Sequence, residues 1–542
     1  MLVEKSWSMS TMETLPGCYL DYCQDQGLIL RPLMTAFWPQ HPIIYQINTL
    51  VWLNTLSTRH QQRITLANVP QAEIDALAQT HADALWLMGI WHRGEKCRAS
   101  ALNYLHEYRA VLPDVTPEDV VGSAYAIGAY TVDESIGGRG GLAAFRQRIA
   151  ERGMKLVLDF VPNHVGLDHP WISEHPEYFM LGTEELLMKD SGNFFRATNA
   201  AGKPIVVAHG RDPHFPGWID TAQLNAFHPG LRQAAVSTLK DIAAQCDGVR
   251  CDMAMLMTGS VFQRTWGWLG TTPMPQPYWP QVIGMVRKDF PHFLFIAEVY
   301  WNMEFQMLQE GFDYTYDKVF YDRILERSAE GIFHHLEAEP AFLRRNIRFI
   351  ENHDEKRAAA ALGPDRSRTA ATLITTLPGA VLLHDGQLEG RRAKLPVQIT
   401  RQPIEEPHQA LRQFYRALLA EASQPIYREG QWSLFRRGPA AGGSGHQNII
   451  AYGWRHQDDL RLIVVNVGGT WSQAVLDLSP WADALSGFSI GTRDIFGNAS
   501  STYDGDSVAG SGLPVALEAH QASILHLSTT KKRQKKPAGV EL

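Results

Sequence analysis

Cysteine is scarce, with five residues in a chain of 542. So few thiols in so long a chain exclude a disulfide framework, and the odd count leaves at least one of them free. Long apolar runs are missing as well. No stretch of about 18 apolar residues occurs, which excludes a membrane-spanning helix. The first segment, MLVEKSWSMSTMETLPGCYL, carries Glu4 and Glu13 and lacks the roughly 7–15-residue apolar core of a secretory signal. Neither charge dominates: 57 acidic against 50 basic residues leave a net charge of −7 at a pI near 6.3. Such a balance asks for no nucleic-acid partner. These absences read as a soluble, cytoplasmic protein with no nucleic-acid or membrane partner and an oligomeric state left open.

What is present is ordinary globular material, 45% apolar and 20% charged, which argues against wholesale disorder. At roughly 150 residues per domain, three to four domains are expected. One grammar recurs through the middle of the chain. An amphipathic helical pattern stops at Gly, Pro or a polar turn; a short apolar run follows, and then a polar residue. Leu142, Phe145 and Ile149 precede KLVLDFV (155–161). Leu231, Ala235, Leu239 and Ile242 precede VRC and Asp252, and Val282, Val286 and Phe290 precede FLFIA (293–297) and Glu298. With IIYQI (43–47), ALWLM (84–88), FDYTY (312–316), IRFI (347–350) and AVLL (380–383), about eight strand candidates alternate with helices. Eight such repeats, with polar residues at the C-terminal strand ends, predict an α/β fold of the (β/α)₈ TIM-barrel type. A doubly wound open sheet is the alternative.

Two stretches break the grammar. From Gly166 to about His228 the chain is rich in His, Pro, Gly and aromatics, too long for an ordinary βα loop, and reads as a subdomain inserted after the third strand. After about residue 427 the helical pattern stops, and NIIAYGW (448–454), LRLIVVNV (460–467) and ASILHLS (522–528) suggest a C-terminal antiparallel β-sandwich. The expected division is an N-terminal extension over 1–35, a barrel over 36–426 with its insert at 165–228, a sandwich over 427–528, and a basic disordered tail over 529–542 containing KKRQKK.

Asp252, Glu298 and Asp354 stand at the ends of strand candidates, where a barrel brings side chains to one mouth. Two facing carboxylates can attack an anomeric carbon and protonate the leaving oxygen; retention needs them about 5–5.5 Å apart, and inversion roughly 6.5–9.5 Å. The structural alternative is that each acid caps the following helix. Arg250 and His353 beside them favour the chemical reading. GGRGG (137–141) precedes a helix without the lysine of a phosphate-binding loop and reads as a tight turn. His209, His214, His334 and His335 have no metal-ligand spacing, and Cys246 and Cys251 read as small buried hydrophobes.

DFVPNH (159–164), GVRCD (248–252), IAEVYW (296–301) and FIENHD (349–354) resemble, in order and spacing, the four sequence signatures of the α-amylase family, glycoside hydrolase family 13. The similarity extends over roughly residues 40–425. It implies a retaining glycosidase acting on α-glucosidic bonds, with Asp252 as nucleophile, Glu298 as general acid/base and Asp354 as transition-state stabiliser. It further implies that Tyr125, in SAYAIGAY, is the aromatic platform under the sugar, and that His164, His353, Asp159 and Arg250 serve substrate binding. Arg250 is expected to keep Asp252 ionised, and the carboxyl with the raised pKa is expected to be Glu298. Trp266, Trp268, Tyr278, Trp279 and Trp301 could extend the groove, although ordinary packing accounts for each.

The chain also departs from the family. After the nucleophile it reads MAML (253–256), where many members carry a Lys-His pair, so Met255 and Leu256 imply a different leaving-group site. TAQLN (221–225) only partly resembles the family's short motif in the insert. No cofactor or metal is expected, for a structural calcium has a single candidate ligand, Asn163. Three functions follow in order: hydrolysis of α-linked oligo- or polysaccharides; transglycosylation or sugar isomerisation with the same carboxylates; and non-catalytic sugar binding on this fold.

Overall fold

The computed structural model describes residues 37–497 and 499–532. The expected N-terminal extension and most of the KKRQKK run lie outside the described residues. Eight parallel strands close on themselves: β1 (Ile43–Asn48), β2 (Ala84–Met88), β3 (Lys155–Phe160), β4 (Gly248–Cys251), β5 (Leu294–Ala297), β6 (Tyr314–Tyr316), β7 (Asn346–Arg348) and β8 (Ala380–His384). Each pairs with the next, and β8 pairs with β1, Val381 lying beside Ile43. This is the (β/α)₈ barrel, and the open-sheet alternative falls. The strands read as unbroken apolar runs because one face meets the barrel interior and the other the helical layer. Trp86, Ile296, Tyr314, Tyr316 and Leu382 fill the interior, while Leu85, Leu87, Phe295 and Leu383 face the helices.

β1 passes straight into its helix. Asn48, the last residue of β1, accepts from the Val51 amide (3.4 Å) and so caps helix Thr49–His60. GGRGG opens helix Gly138–Ala150. Gly137 and Gly138 take φ of 111° and 59°, and a Cβ on Gly141 would stand 3.2 Å from the Ala67 amide nitrogen. The glycines thus serve a left-handed turn and a close backbone approach.

The inserted region has its own ladders. His164–Gly166 pairs antiparallel with Thr221–Gln223, and Leu181–Gly182, Pro204–Ala208 and Phe194–Thr198 form a three-stranded sheet. Val165, Phe179, Val207, Ala222 and Leu224 make a small separate core beneath it.

Beyond the barrel, Gln431–Phe435, Ile449–His456, Asp459–Asn466, Ala522–Lys531, Phe488–Asp494 and Ser500–Asp504 form one antiparallel sheet. Arg437–Gly438, Ser472–Leu476 and Leu513–Leu517 form a second. Ala451, Leu462 and Leu527 of the larger sheet pack with Ala474, Leu476 and Leu513 of the smaller one. Two corrections apply to this region. Helices persist as the short segments Ala482–Leu485 and Gly505–Ser511. The segment read as a tail from residue 529 begins as ladder: Ala522–Lys531 pairs with Phe488–Asp494 up to Lys531, and Lys532 reaches Asp504 (2.6 Å) and Asp506. Paired backbone and two carboxylates hold residues that composition alone marks as solvated.

Candidate active site

Arg250 is the hub of the barrel mouth. It is the third residue of β4, fully buried, and its guanidinium lies 5.2 Å from the Trp86 ring centre, 5.3 Å from Tyr125 and 5.8 Å from Tyr316. Three aromatic faces surround it, two carboxylates accept its protons and a third pairs with its charge. Nη1 donates to Asp252 Oδ1 at 2.8 Å and, at 3.4 Å, to Asp159 Oδ1; Nη2 stands 2.8 Å from Glu298 Oε2. Such forked, charge-assisted contacts orient as well as bind.

Asp252 follows β4 directly and Glu298 follows β5, so neighbouring parallel strands deliver both carboxyls to one guanidinium. Glu298 Oε2 also accepts from the Met253 amide (2.6 Å), and Oε1 accepts from the Tyr300 hydroxyl (2.7 Å). Met253 adopts a left-handed φ of 42° to present that amide. Tyr300 carries no signal in the sequence beyond its place two residues after Glu298.

One positive charge among three buried carboxylates leaves a surplus of negative charge, and this alters the expected protonation. Burial pushes the Asp252 carboxyl well above the ordinary range, the Glu298 charge adds to it, and Arg250 pulls the other way. Asp159 is also raised, by burial. Burial and the neighbouring Glu298 charge thus outweigh the Arg250 guanidinium, which the sequence expects to keep Asp252 ionised.

His353 joins the other wall. Its Nε2 lies 2.6 Å from the Tyr125 hydroxyl and 3.0 Å from Asp354 Oδ2; its Nδ1 lies 2.7 Å from Gln46 Nε2. The Tyr125 and His353 rings stack at 5.2 Å. Tyr125 thus stands over the carboxylates, against the Arg250 guanidinium. Asp159, from β3, supports this floor, its Oδ2 accepting from Trp86 Nε1 (3.0 Å) and its carbonyl from Trp91 Nε1 (2.8 Å). Gln46 and Trp86 lie inside strands, where the sequence shows them only as strand residues.

Asp354 differs from expectation. β7 ends at Arg348, so Asp354 sits on a loop, and its side chain is 47% exposed where those of Asp252 and Glu298 are 9% and 4%. Asn352 Oδ1 turns the loop by accepting from the amides of Asp354 (2.8 Å) and Glu355 (2.9 Å). A buried Glu351–Arg357 pair at 2.5 Å closes its base.

His164 is buried in the insert, beside the Trp218 ring at 5.0 Å, with Nδ1 3.3 Å from Asn163 Nδ2. Asn163 Oδ1, the one calcium candidate, accepts from Gln223 Nε2 at 2.9 Å. That oxygen is engaged within the protein. Among the described residues no group of three or more His, Cys, Asp or Glu is arranged to hold a metal. Gln223, the third residue of TAQLN, does structural work that the partial motif match does not reveal.

Met255 and Leu256 lie in the short helix Ala254–Met257, both buried in the main core. Trp266, Tyr278 and Trp279 are buried as well, Trp279 Nε1 donating to the Ala254 carbonyl (2.8 Å). Trp268 is 55% exposed. Trp301, with φ of 64°, meets His214 of the insert at 5.1 Å.

The profile of the α-amylase catalytic domain matches residues 77–227. Over that stretch the chain is similar to the α-amylase family. It is 23% identical over 491 residues to the α-amylase MalA of Haloarcula japonica, covering 88% of this chain and 63% of that protein. It is 22% identical over 390 residues to α-amylase 3 of Dictyoglomus thermophilum, covering 68% of each. Its fold matches a maltogenic α-amylase, AmyB, from Thermotoga neapolitana (TM-score 0.64, 20% identity, 90% of this chain and 99% of that one). It also matches the acarbose complex of an α-amylase from Geobacillus thermoleovorans (TM-score 0.61, 17% identity, 92% and 100%).

Proposed function

We propose that this protein is a retaining glycosidase that cleaves α-glucosidic bonds of oligo- or polysaccharides through a covalent intermediate on Asp252. The observation that carries the reading is the Arg250 guanidinium ion-paired at once with Asp252 and Glu298, both buried at the mouth of a closed barrel. The double displacement then runs on this chain's own residues. An Asp252 oxygen forms a bond to the anomeric carbon as the glycosidic C–O bond breaks, and the departing oxygen takes the Glu298 proton. Water next gives a proton back to Glu298 while its oxygen attacks the same carbon, and the Asp252–sugar ester breaks. Two ionisable carboxyls under one guanidinium suit a cycle that holds one proton between them, on Glu298 when the leaving oxygen departs.

Tyr125 supplies an aromatic face for the pyranose, and His353 a ring nitrogen for its hydroxyls. Asp354 faces the entrance, where a carboxylate offsets oxocarbenium charge. His164 and Asp159 complete the floor. The cycle calls on no metal or cofactor. We place the protein in the cytoplasm; the free, buried thiols of Cys97, Cys246 and Cys251 suit a reducing compartment.

Asp252→Asn keeps the shape of the site and removes the nucleophile. Turnover of maltooligosaccharides should fall by about 10⁴ or more, with the thermal midpoint nearly unchanged. Proton NMR of the wild-type reaction should show the α-anomer appearing first. A folded Asp252→Asn protein with near-normal turnover, or a β-anomer product, overturns the reading.

A further inference from the structure

The connection between β8 and helix Gln409–Ala422 has no part in the chemistry above. Residues 385–408 contain no helix or ladder strand, and structureless connections beyond about 12–15 residues within a compact domain are uncommon and usually functional. This one is strapped down along its length. Arg357 Nη2 donates to the Asp385 carbonyl (2.8 Å), and the Tyr45 hydroxyl, from β1, donates to Asp385 Oδ1 (3.1 Å). Lys394 Nζ then donates to the carbonyl of Asp354. Val397 packs onto the inner barrel cluster of Trp86, Met88 and Tyr316, on which Tyr125 also rests.

Farther on, the strap crosses to the loop after β2. The Val121 amide donates to the Gln398 carbonyl and the Thr400 amide to the Asp119 carbonyl, each at 2.9 Å. Arg401 clamps the crossing: Nε and Nη2 reach the two Asp119 oxygens at 2.6 and 2.8 Å, and Nη1 reaches Asp114 Oδ2 at 2.9 Å. Such a bidentate pair is rigid as well as strong. The strap therefore covers the β8–β1–β2 sector of the mouth, from Asp354 to the loop that carries Tyr125.

Which end of the substrate meets the strap follows from the proton. Glu298 protonates the leaving oxygen, so the leaving chain extends past Glu298 toward the β4–β5 side, where His214 and Trp301 meet. Sugars on the other side of the cut ring extend toward Asp354, and there Lys394, Val397 and the strap backbone occupy the way.

We propose that the strap closes the glycone end of the groove, so that the enzyme works from free non-reducing ends and releases a short product instead of cutting inside a chain. The inference rests on the glycosidase reading above and adds the substrate class: α-glucan ends with an unmodified terminal glucose.

The test compares 4-nitrophenyl α-maltoheptaoside with the same compound capped by a 4,6-O-ethylidene group on its non-reducing glucose, products being followed by mass spectrometry. The capped compound should be cut at least about tenfold more slowly in kcat/KM. A smaller penalty overturns the strap and leaves the glycosidase reading standing. If neither compound is cut, and maltotriose and aryl α-glucosides are inert too, the glycosidase reading fails and takes the strap with it. Arg401→Ala, outside the catalytic machinery, should narrow the capped-to-free penalty by about fivefold or more while maltotriose turnover stays within about twofold. A folded variant with an unchanged penalty counts against the strap; should it fail to fold, the wild-type comparison decides alone.

Discussion

Glu304 opens a short helix after β5 with its side chain buried and its Oε1 atom lacking a hydrogen-bond partner. Burial pushes its carboxyl up to about 8, and the charge of Asp317 adds to the rise. The consequence for stability has a definite sign. Between the ordinary value of 4.5 and about 8 the folded state keeps a proton that the unfolded chain releases. Stability from this group is complete below the lower value and is lost as pH rises through the upper one. Glu304→Gln should therefore flatten the decline in urea midpoint between about pH 5 and 8 relative to wild type. Parallel profiles for the two proteins would contradict this account. Such a group is invisible in the sequence, where Glu304 looks like any acid in a first helical turn. The carboxyls proposed for catalysis are legible for the opposite reason: Asp252 and Glu298 follow apolar runs directly, and a strand end has only one place to put the next side chain.

At the scale of elements, each barrel strand overlaps the apolar run that marks it, β1, β4, β7 and β8 reaching one residue beyond, because strands buried on both faces leave no polar alternation to misread. β7 is the instructive miss. IRFI predicts a strand to Ile350, but the ladder ends at Arg348, and Phe349 and Ile350 are buried without belonging to it. Burial alone is what periodicity detects; pairing is not. The insert shows the same limit. Its short strands lack any period, and its anchor is a single amide: Gln223 Nε2 donates to the carbonyl of Asn163 (2.9 Å), to Asn163 Oδ1 (2.9 Å) and to the Leu224 carbonyl (3.0 Å). Its Oε1 accepts from the Arg211 amide (3.2 Å). Gln223→Leu strands these buried groups, at a cost of roughly 2–4 kcal/mol in denaturant unfolding. It should also raise KM more than it lowers kcat, since His164 lies opposite Gln223 on the paired strand. Stability within about 0.5 kcal/mol of wild type would refute the anchor.

The whole molecule is less divided than its sequence suggests. One face of the larger C-terminal sheet makes the sandwich core, but Ile450, Tyr452, Trp454, Ile463 and Val465 on the other face belong to the main core of the barrel. Trp454 is central: its Nε1 donates to the Thr376 carbonyl (2.6 Å), and its ring meets His41 at 5.5 Å and Tyr427 at 6.0 Å. Trp454→Ala should cost about 3–5 kcal/mol and lower the melting of the entire chain in one calorimetric transition. Two separate transitions, with the barrel's unmoved, would show that sheet and barrel are energetically independent.

Local pattern marked eight strands alternating with helices and placed Asp252 and Glu298 at strand ends, because apolar runs ending in a polar residue encode both a buried parallel strand and the mouth it points to. Tertiary structure alone decided three things: that Arg250 is shared between Asp252 and Glu298, that Asp354 stands exposed on a loop, and that residues 385–408 cross the mouth to Asp119. Each depends on contacts between residues far apart in the chain, and local pattern holds no record of which distant partner a charge or a loop will meet.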